Sequence, residues 1–299
     1  MLAKKVDQLL SLVASRGAPI PTLIKARLPI NNVVAFSGGI DSSLAAALVY
    51  QVFPQTSAAC IGRSAALPSI QLLQAQNIAS HIGIPLWECH TEELKHDGYV
   101  ANQGQSCYYC KTTLYSTLVQ VAEFAWREWQ QQDQATIEPV LYNGTNADDL
   151  LDSTRVGLVA ASEFHVVSPL SHLTKQEVRD VAKYLGLPNW NASASPCLRS
   201  RLQFGVEATE QHLYRVEQAE DFVRKSIRLR PQQNMRVRFL AGNKAAIELD
   251  EEALEKAKVH FDTIASELRS LGFNAVKLRA FRTGSLSGYN ATTVVRHAS

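Results

Sequence analysis

The segment Ser37-Gly38-Gly39-Ile40-Asp41-Ser42-Ser43 constrains this chain more than any other. Before it, Asn31-Asn32-Val33-Val34-Ala35-Phe36 reads as a buried strand, and after it the alanine-rich LAAALVYQV reads as a helix. In open α/β sheets, ligands bind beyond the carboxyl ends of the strands, where helix N-termini present unpaired N–H groups. Gly38 and Gly39 remove Cβ atoms that would keep a phosphate oxygen from those donors, while Ser37, Ser42 and Ser43 add hydroxyls. The lysine of GxxxxGK[ST] is missing and the glycines are adjacent, unlike GxGxxG. The loop therefore suits the part of ATP that leaves as pyrophosphate better than transfer of a γ-phosphoryl group. A simple Gly-Gly turn capped by Ser or Asp is the structural alternative.

The rest of the first two thirds repeats the alternation. Strands are expected at Thr56 to Ile61, Pro85 to Cys89, Val140 to Tyr142 and 164–168. Helices are expected near the start of the chain (Leu9, Leu10, Leu12, Val13, interrupted by Pro19 and Pro21), over 68–83 with Ile70, Leu73, Ile78 and Ile82 on its apolar side, and from near Lys111 (Leu114, Leu118, Val121, Phe124). Thr174-Lys175-Gln176-Glu177 has capping-box spacing ahead of VRDVAKYLGL. Alternating strands and helices predict a doubly wound parallel sheet. Beyond about Gly205 the pattern becomes a helix over 207–227, strands Met235 to Phe239 and Ala246 to Leu249, one long helix over 251–271 and a last strand from Ala275 to Phe281. The expected division is 1–205 for the α/β domain and 206–299 for a smaller α+β domain. The Gln-rich patch at 130–134 reads as a solvated loop.

Lys+Arg (30) and Asp+Glu (28) nearly cancel, so no whole-molecule field draws the chain to nucleic acid or an anionic membrane. Neither a secretory signal nor a run of roughly 18 apolar residues is present, which predicts a soluble, cytoplasmic protein. In that setting Cys60, Cys89, Cys107, Cys110 and Cys197 are thiols, metal ligands or catalytic groups before they are disulfides. Cys60 and Cys89 fall inside strands and read as inert buried thiols. Cys107-Tyr108-Tyr109-Cys110-Lys111 alone could serve zinc, redox chemistry or nothing. With Cys197, in the loop SASPCLRSRLQFG, the count reaches three, and three thiolates can hold three irons of a [4Fe-4S] cluster and leave the fourth open to carry a sulfide.

The loop SGGIDSS resembles the PP-loop of ATP pyrophosphatases, whose members adenylylate a substrate. VVAFSGGIDSSLAAAL, SCYYCKTTLY, YNGTNADDLLDSTRVGL, LTKQEVRDVAKYLGLPNW, SPCLRSR, RVRFL, AIEL and LGFNAVKLRAFRTGSLS follow the order seen in the LarE family, across nearly the whole chain. That family comprises ATP-dependent sulfur transferases that make the nickel-pincer nucleotide. The resemblance implies a PP-loop ATP pyrophosphatase fold, ATP with Mg²⁺, a small-molecule nucleotide substrate, sulfide or a sulfur donor protein, and a homo-oligomer, with no nucleic-acid or membrane partner.

By position, the resemblance sets Ser37, Gly38, Gly39, Asp41 and Ser42 on the ATP phosphates. It puts Gly144, Thr145, Asn146, Asp148 and Arg155 near the nucleotide and Lys111 beside the reacting centre, where with Cys197 and Asp41 it is a catalytic candidate. Arg199, Arg201, Arg236, Arg238 and Glu248 fall where the family has its substrate side. Cys197 matches a cysteine that some members sacrifice as the sulfur source; members with all three cysteines resemble cluster-dependent sulfide carriers, and Cys107, Cys110 and Cys197 favour that version. From the residues alone, Asp148-Asp149 could instead cap a helix, and Tyr108 and Tyr109 could stack on a base or pack beside the cysteines. The chain departs from the family pattern at Arg155-Val156-Gly157, Pro196 and Ser287. A PP-loop tRNA thiolase and a nucleotide sensor with structural zinc are the competing readings; the first would want a basic RNA-binding surface.

Overall fold

A computed structural model describes residues 1–18, 30–129, 138–152, 154–193, 195–230 and 233–282. Pro19, Pro21, the 130–134 patch and Ser287 lie outside them. The chain divides into two units, Met1–Tyr99 with Gln105–Pro196, and Val100–Gly104 with Cys197 onward.

The first unit contains α1 (Leu2–Arg16), β1 (Asn32–Ala35), α2 (Ile40–Val52), β2 (Ser57–Arg63), α3 (Ser69–Ile82) and β3 (Leu86–His90). A short α4 (Asp97–Val100) leads to α5 (Ser106–Trp129), β4 (Val140–Tyr142), α6 (Ala147–Leu151), α7 (Gly157–Glu163) and α8 (Lys175–Tyr184). The sheet runs β3-β2-β1-β4 and every pairing is parallel. Central β1 is buried on both faces, which is why Asn-Val-Val-Ala shows no polar alternation.

Leu44, Leu48 and Val49 of α2 pack on one face of the sheet with Val34, Ile61, Leu9 and Val181. Tyr115, Leu118 and Ala122 of α5 pack on the other with Val33, Ala35, Cys60 and Cys89. Helices on both faces of a parallel sheet make the doubly wound α/β architecture that the alternation predicts.

Three local expectations differ from the structure. Residues 164–168 form no strand; Tyr142 and Val167 make a single parallel bridge, because α7 runs to Glu163 and a left-handed His165 turns the chain. In α3 it is Gln71, Ala75, Ile78 and Ala79 that are buried, while Ile70 and Leu73 are 51% and 62% exposed. Helix α5 starts at Ser106, so the cysteine pair lies within its first two turns and not ahead of it.

The second unit opens with a 3-10 turn, Leu198–Arg201, followed by α9 (Glu210–Ser226), β5 (Met235–Leu240), β6 (Lys244–Leu249), α10 (Glu251–Val259), α11 (Phe261–Ser270) and β7 (Ala275–Ala280). Strands β5 and β6 are antiparallel, and β7 joins β6 in parallel, giving the order β5-β6-β7. The β5–β6 connection uses Gly242 and Asn243 at φ 73° and 53°, the left-handed backbone a tight hairpin requires. The long helix expected over 251–271 is broken at His260 into α10 and α11. Asn102, from the Val100–Gly104 excursion, donates to the carbonyls of Gln203 and Val206 and accepts from Arg199.

Candidate active site

The turn from β1 into α2 is held from several sides. Gly38 sits at φ +72°, and a Cβ there would stand 2.8 Å from the Ala75 Cα, so the fold alone requires glycine. Gly39 differs, since a Cβ there would approach only the Ser37 Oγ, at 3.3 Å. No side chain caps α2, which leaves its first-turn N–H groups as donors beside the exposed Gly39 and Ser37. Gln71 donates to the Ser37 carbonyl (3.1 Å) and Asn189 to the Gly38 carbonyl (2.9 Å).

The serines are not equivalent. Ser43 is fully buried, donates to the Gly39 carbonyl (2.9 Å) and accepts from Asn189, so its hydroxyl holds the turn together. Ser42 donates to the same carbonyl (3.0 Å) and accepts from the Ser37 N–H (3.2 Å). Ser37 is the hydroxyl exposed at the loop surface.

Asp41 joins the loop to the end of β4. Its carboxylate accepts from Asn146 Nδ2 (3.0 Å) and pairs with the Lys175 ammonium. Asn146 is fully buried and is the N-cap of α6, in a capping box with Asp149. The cap is therefore Asn146, not the Asp148-Asp149 pair; Asp148 accepts from the Lys175 backbone N–H (3.1 Å). Gly144 packs so tightly on α2 that a Cβ would stand 2.4 Å from the Asp41 carbonyl carbon. Thr145 donates its N–H to Asn143 Oδ1 (3.0 Å), and Arg155 reaches Asp149 (2.9 Å).

Ser37–Ser43, Gly144–Asn146, Asp148 and Arg155 thus form one connected group. Lys175, Asn189 and Gln71 complete it and were not singled out from sequence. Lys175 stood in plain view as the first residue after a capping threonine, a place that the capping pattern alone explains.

Helix α5 connects to this group through Tyr115. Lys111 lies 5.8 Å from the Tyr115 ring centroid, and the Tyr115 hydroxyl accepts from Asn143 Nδ2 (3.3 Å), next to Gly144. Cys107 is exposed and Cys110 partly so, one turn apart on α5. Tyr108 donates to Glu163 (3.0 Å), and Tyr109 stacks on His96 (5.7 Å), so both tyrosines pack within the unit.

In the second unit, Cys197 precedes the 3-10 turn and is partly exposed. Its carbonyl accepts from Arg201, whose guanidinium also binds Glu220 through Nε (2.9 Å) and Nη2 (3.2 Å). Glu248, fully buried, accepts from Arg238 Nε (2.7 Å) and Arg279 Nε (2.9 Å). Arg236 is also buried, and both charged residues lie inside the unit instead of on a solvated strand face. Burial pulls the Arg236 guanidinium down to about 10, helped by the positive charge of Arg201 and opposed by Glu220, with Arg238 and Arg224 adding to the lowering. Among the described residues, Glu220 and Glu248 lie with the buried Arg201, Arg236 and Arg238 and the partly exposed Arg279.

Two absent groups can be weighed against these residues. Mg²⁺ takes hard oxygen ligands, and Asp41 supplies a carboxylate of that type inside the loop. Three thiols suit iron–sulfur ligation by kind. Yet among the described residues no group of three or more His, Cys, Asp or Glu is arranged to hold a metal ion, and Cys197 belongs to the other unit from Cys107 and Cys110.

A parallel sheet whose first crossover begins in an uncapped Gly-Gly loop, buttressed by a second turn at the end of β4, defines an α/β protein of the PP-loop type. No protein-family model matches the chain. It is 31% identical over 272 residues, 89% of its length and 92% of the relative's, to the pyridinium-3,5-bisthiocarboxylic acid mononucleotide synthase of Lactiplantibacillus plantarum. It is 34% identical to an uncharacterised protein of Synechocystis sp. (85% of this chain, 91% of that one) and 28% to one of Methanocaldococcus jannaschii (82% and 87%). The chain belongs to the LarE family, that of the L. plantarum synthase. Among the described residues no helix is long and apolar enough to cross a membrane.

Proposed function

We propose that this chain is an ATP-dependent sulfur transferase that converts a carboxylate of pyridinium-3,5-biscarboxylic acid mononucleotide into a thiocarboxylate, in nickel-pincer nucleotide synthesis. The observation that carries the reading is the Gly39 edge of the α2 N-terminus, open to a ligand and tied through Asp41 to Asn146 and Lys175. The chain's match to the L. plantarum synthase supports this choice of substrate class.

A carboxylate is a poor electrophile. Its oxygen attacks the α-phosphorus of ATP, pyrophosphate leaves, and the acyl adenylate now carries AMP as a good leaving group. A sulfide nucleophile attacks the carbonyl carbon, the bond to AMP breaks, and a thiocarboxylate and AMP result. The α2 N–H groups and Ser37 hold the phosphates, Lys175 and Lys111 neutralise charge on phosphoryl and carbonyl oxygens, and Asp41 offers an oxygen to the Mg²⁺ that accompanies ATP. In the second unit, the guanidinium groups of Arg236 and Arg238 are of the type that binds the phosphate of a mononucleotide, with Arg199, Arg201 and Glu248 in support.

Cys107, Cys110 and Cys197 are the proposed sulfur-handling thiols, with a three-cysteine [4Fe-4S] cluster as the carrier that the donor set favours and sacrifice of Cys197 as the second route. Homo-oligomerisation, a cytoplasmic location and an external sulfide donor are extended from the resemblance. The decisive assay is anaerobic: the dicarboxylate mononucleotide, ATP, Mg²⁺ and sulfide, with detection of thiocarboxylate, AMP and pyrophosphate. Pyrophosphate release that depends on added tRNA and not on the mononucleotide would overturn the substrate assignment. Iron bound in stoichiometric amount and lost in Cys107→Ala supports the cluster; a Cys197 lighter by H₂S after turnover shows sacrifice.

A further inference from the structure

Cys60 and Cys89 take no part in the chemistry above, yet they are neighbours. In the β2–β3 ladder Cys60 stands opposite Trp87 and Cys89 opposite Gly62. Residues two apart along a strand share a face, so both side chains lie on the α5 side of the sheet, one diagonal step apart. Gly62 has no side chain to separate them, and Leu114 of α5 covers its Cα, 3.1 Å from where a Cβ would be. The two sulfurs are 2.7 Å apart in the thiol state.

That separation discriminates among the uses of a cysteine pair. A tetrahedral metal at about 2.3 Å from each thiolate would hold the sulfurs roughly 3.8 Å apart. A covalent S–S bond needs about 2.05 Å. The 2.7 Å separation lies nearer the covalent bond than the metal-bridged spacing, and among the described residues no group of three or more His, Cys, Asp or Glu could hold a metal ion. Cys60 is fully buried and Cys89 is 7% exposed, which makes Cys89 the sulfur a small oxidant meets.

We propose that Cys60 and Cys89 are a reversible redox site, closing to a disulfide beneath α5 when a small hydroperoxide reaches Cys89. The Cys89 thiolate attacks the peroxide, the O–O bond breaks, and Cys89 becomes a sulfenic acid as the other oxygen leaves as water or alcohol. The Cys60 sulfur then attacks Cys89 Sγ, the S–O bond breaks, and a second water departs with the Cys60 proton. Two thiols and one hydrogen peroxide thus give one disulfide and two waters. The division of labour agrees with the electrostatics: the Cys60 S–H bond to Cys89 lowers the Cys89 thiol, while that bond and burial raise Cys60.

The test uses the whole chain, reduced, exposed to hydrogen peroxide, then denatured in a maleimide and digested for mass spectrometry. The expected product joins the peptides of β2 and β3, lighter by two hydrogens, and separates into two alkylatable peptides after dithiothreitol. It should form equally in a Cys107→Ser/Cys110→Ser/Cys197→Ser protein, so its failure is distinct from failure of the sulfur-transfer reading. In Cys60→Ala the Cys89 sulfenic acid should accumulate and be trapped by a cyclic 1,3-dione. Full alkylation of Cys60 and Cys89 at a peroxide dose that oxidises Cys107, or conversion of Cys89 to sulfinic acid with Cys60 present, would overturn the proposal.

Discussion

Gly39→Ala separates what the 37–43 loop needs in order to fold from what the proposed phosphate contact needs. Gly39 has φ −72° and ψ 157°, a conformation open to alanine, and a Cβ there meets only the Ser37 Oγ at 3.3 Å. Loss of a good N-cap residue costs about 1 kcal/mol, and the reduced freedom of the unfolded chain returns about 0.4–1 kcal/mol. The melting temperature should therefore move by no more than about 4 °C. The same methyl group would stand between a phosphate oxygen and the α2 N–H groups. Each hydrogen bond to a charged acceptor contributes about 1.5–3 kcal/mol, so losing one raises the Kd for ATP by roughly 10- to 150-fold. Calorimetric titration with Mg-ATP, alongside thermal melting, reads both quantities. Gly144→Ala is the contrast: its Cβ would lie 2.4 Å from the Asp41 carbonyl carbon, so stability should fall by about 1–3 kcal/mol. A well-folded Gly39→Ala protein that binds ATP as the parent does would refute the assignment of phosphate to this edge.

Three further outcomes follow from named contacts. Lys175→Met removes the partner of Asp41; because that pair is partly exposed, stability should change by less than about 1 kcal/mol, whereas the KM for ATP should rise about tenfold or more through loss of a charge-assisted contact, and an unchanged KM would show that Lys175 only braces Asp41. Glu248→Gln leaves the buried Arg238 and the partly exposed Arg279 without their carboxylate and should cost about 3 kcal/mol or more in urea unfolding; a loss under about 1 kcal/mol would mean that the second unit relaxes around the change. Glu177 is held down to about 2, from 4.5, first by Lys5 and then by the Thr174 N–H and hydroxyl. Since its folded value is the lower one, its contribution is present above pH 4.5 and is lost as pH falls towards 2, so Glu177→Gln should flatten the acid limb of a stability–pH profile across that window; an unaltered limb would place acid sensitivity elsewhere.

The parallel sheet was legible because β1, β2 and β4 are short apolar runs that alternate with helices, and the loop at 37–43 because adjacent glycines after a buried strand have few structural uses. The apolar face of α3 differs from expectation for a steric reason: the turn at Gly38 lies against Ala75, so the face of small residues turns inward and Ile70 and Leu73 face solvent. The break at His260 bears no glycine or proline, and α10 and α11 bury Ala253, Ala257, Ile264 and Leu268 in a phase that one continuous helix would also satisfy. Lys175 and Asn189 escaped notice since their partners Asp41 and Gly38 lie far away in sequence, and no periodic pattern records such pairings.

The Val100–Gly104 excursion has a practical meaning for anyone cutting the gene. Asn102 bonds to Arg199, Gln203 and Val206, all downstream of Pro196. A clone ending at Pro196 would carry an asparagine loop stripped of every one of these acceptors and donors, and the complementary clone would lack the loop itself. Dissecting this protein into halves calls for co-expressed fragments or a permuted chain, because a single stop codon cannot follow a border that the backbone passes three times.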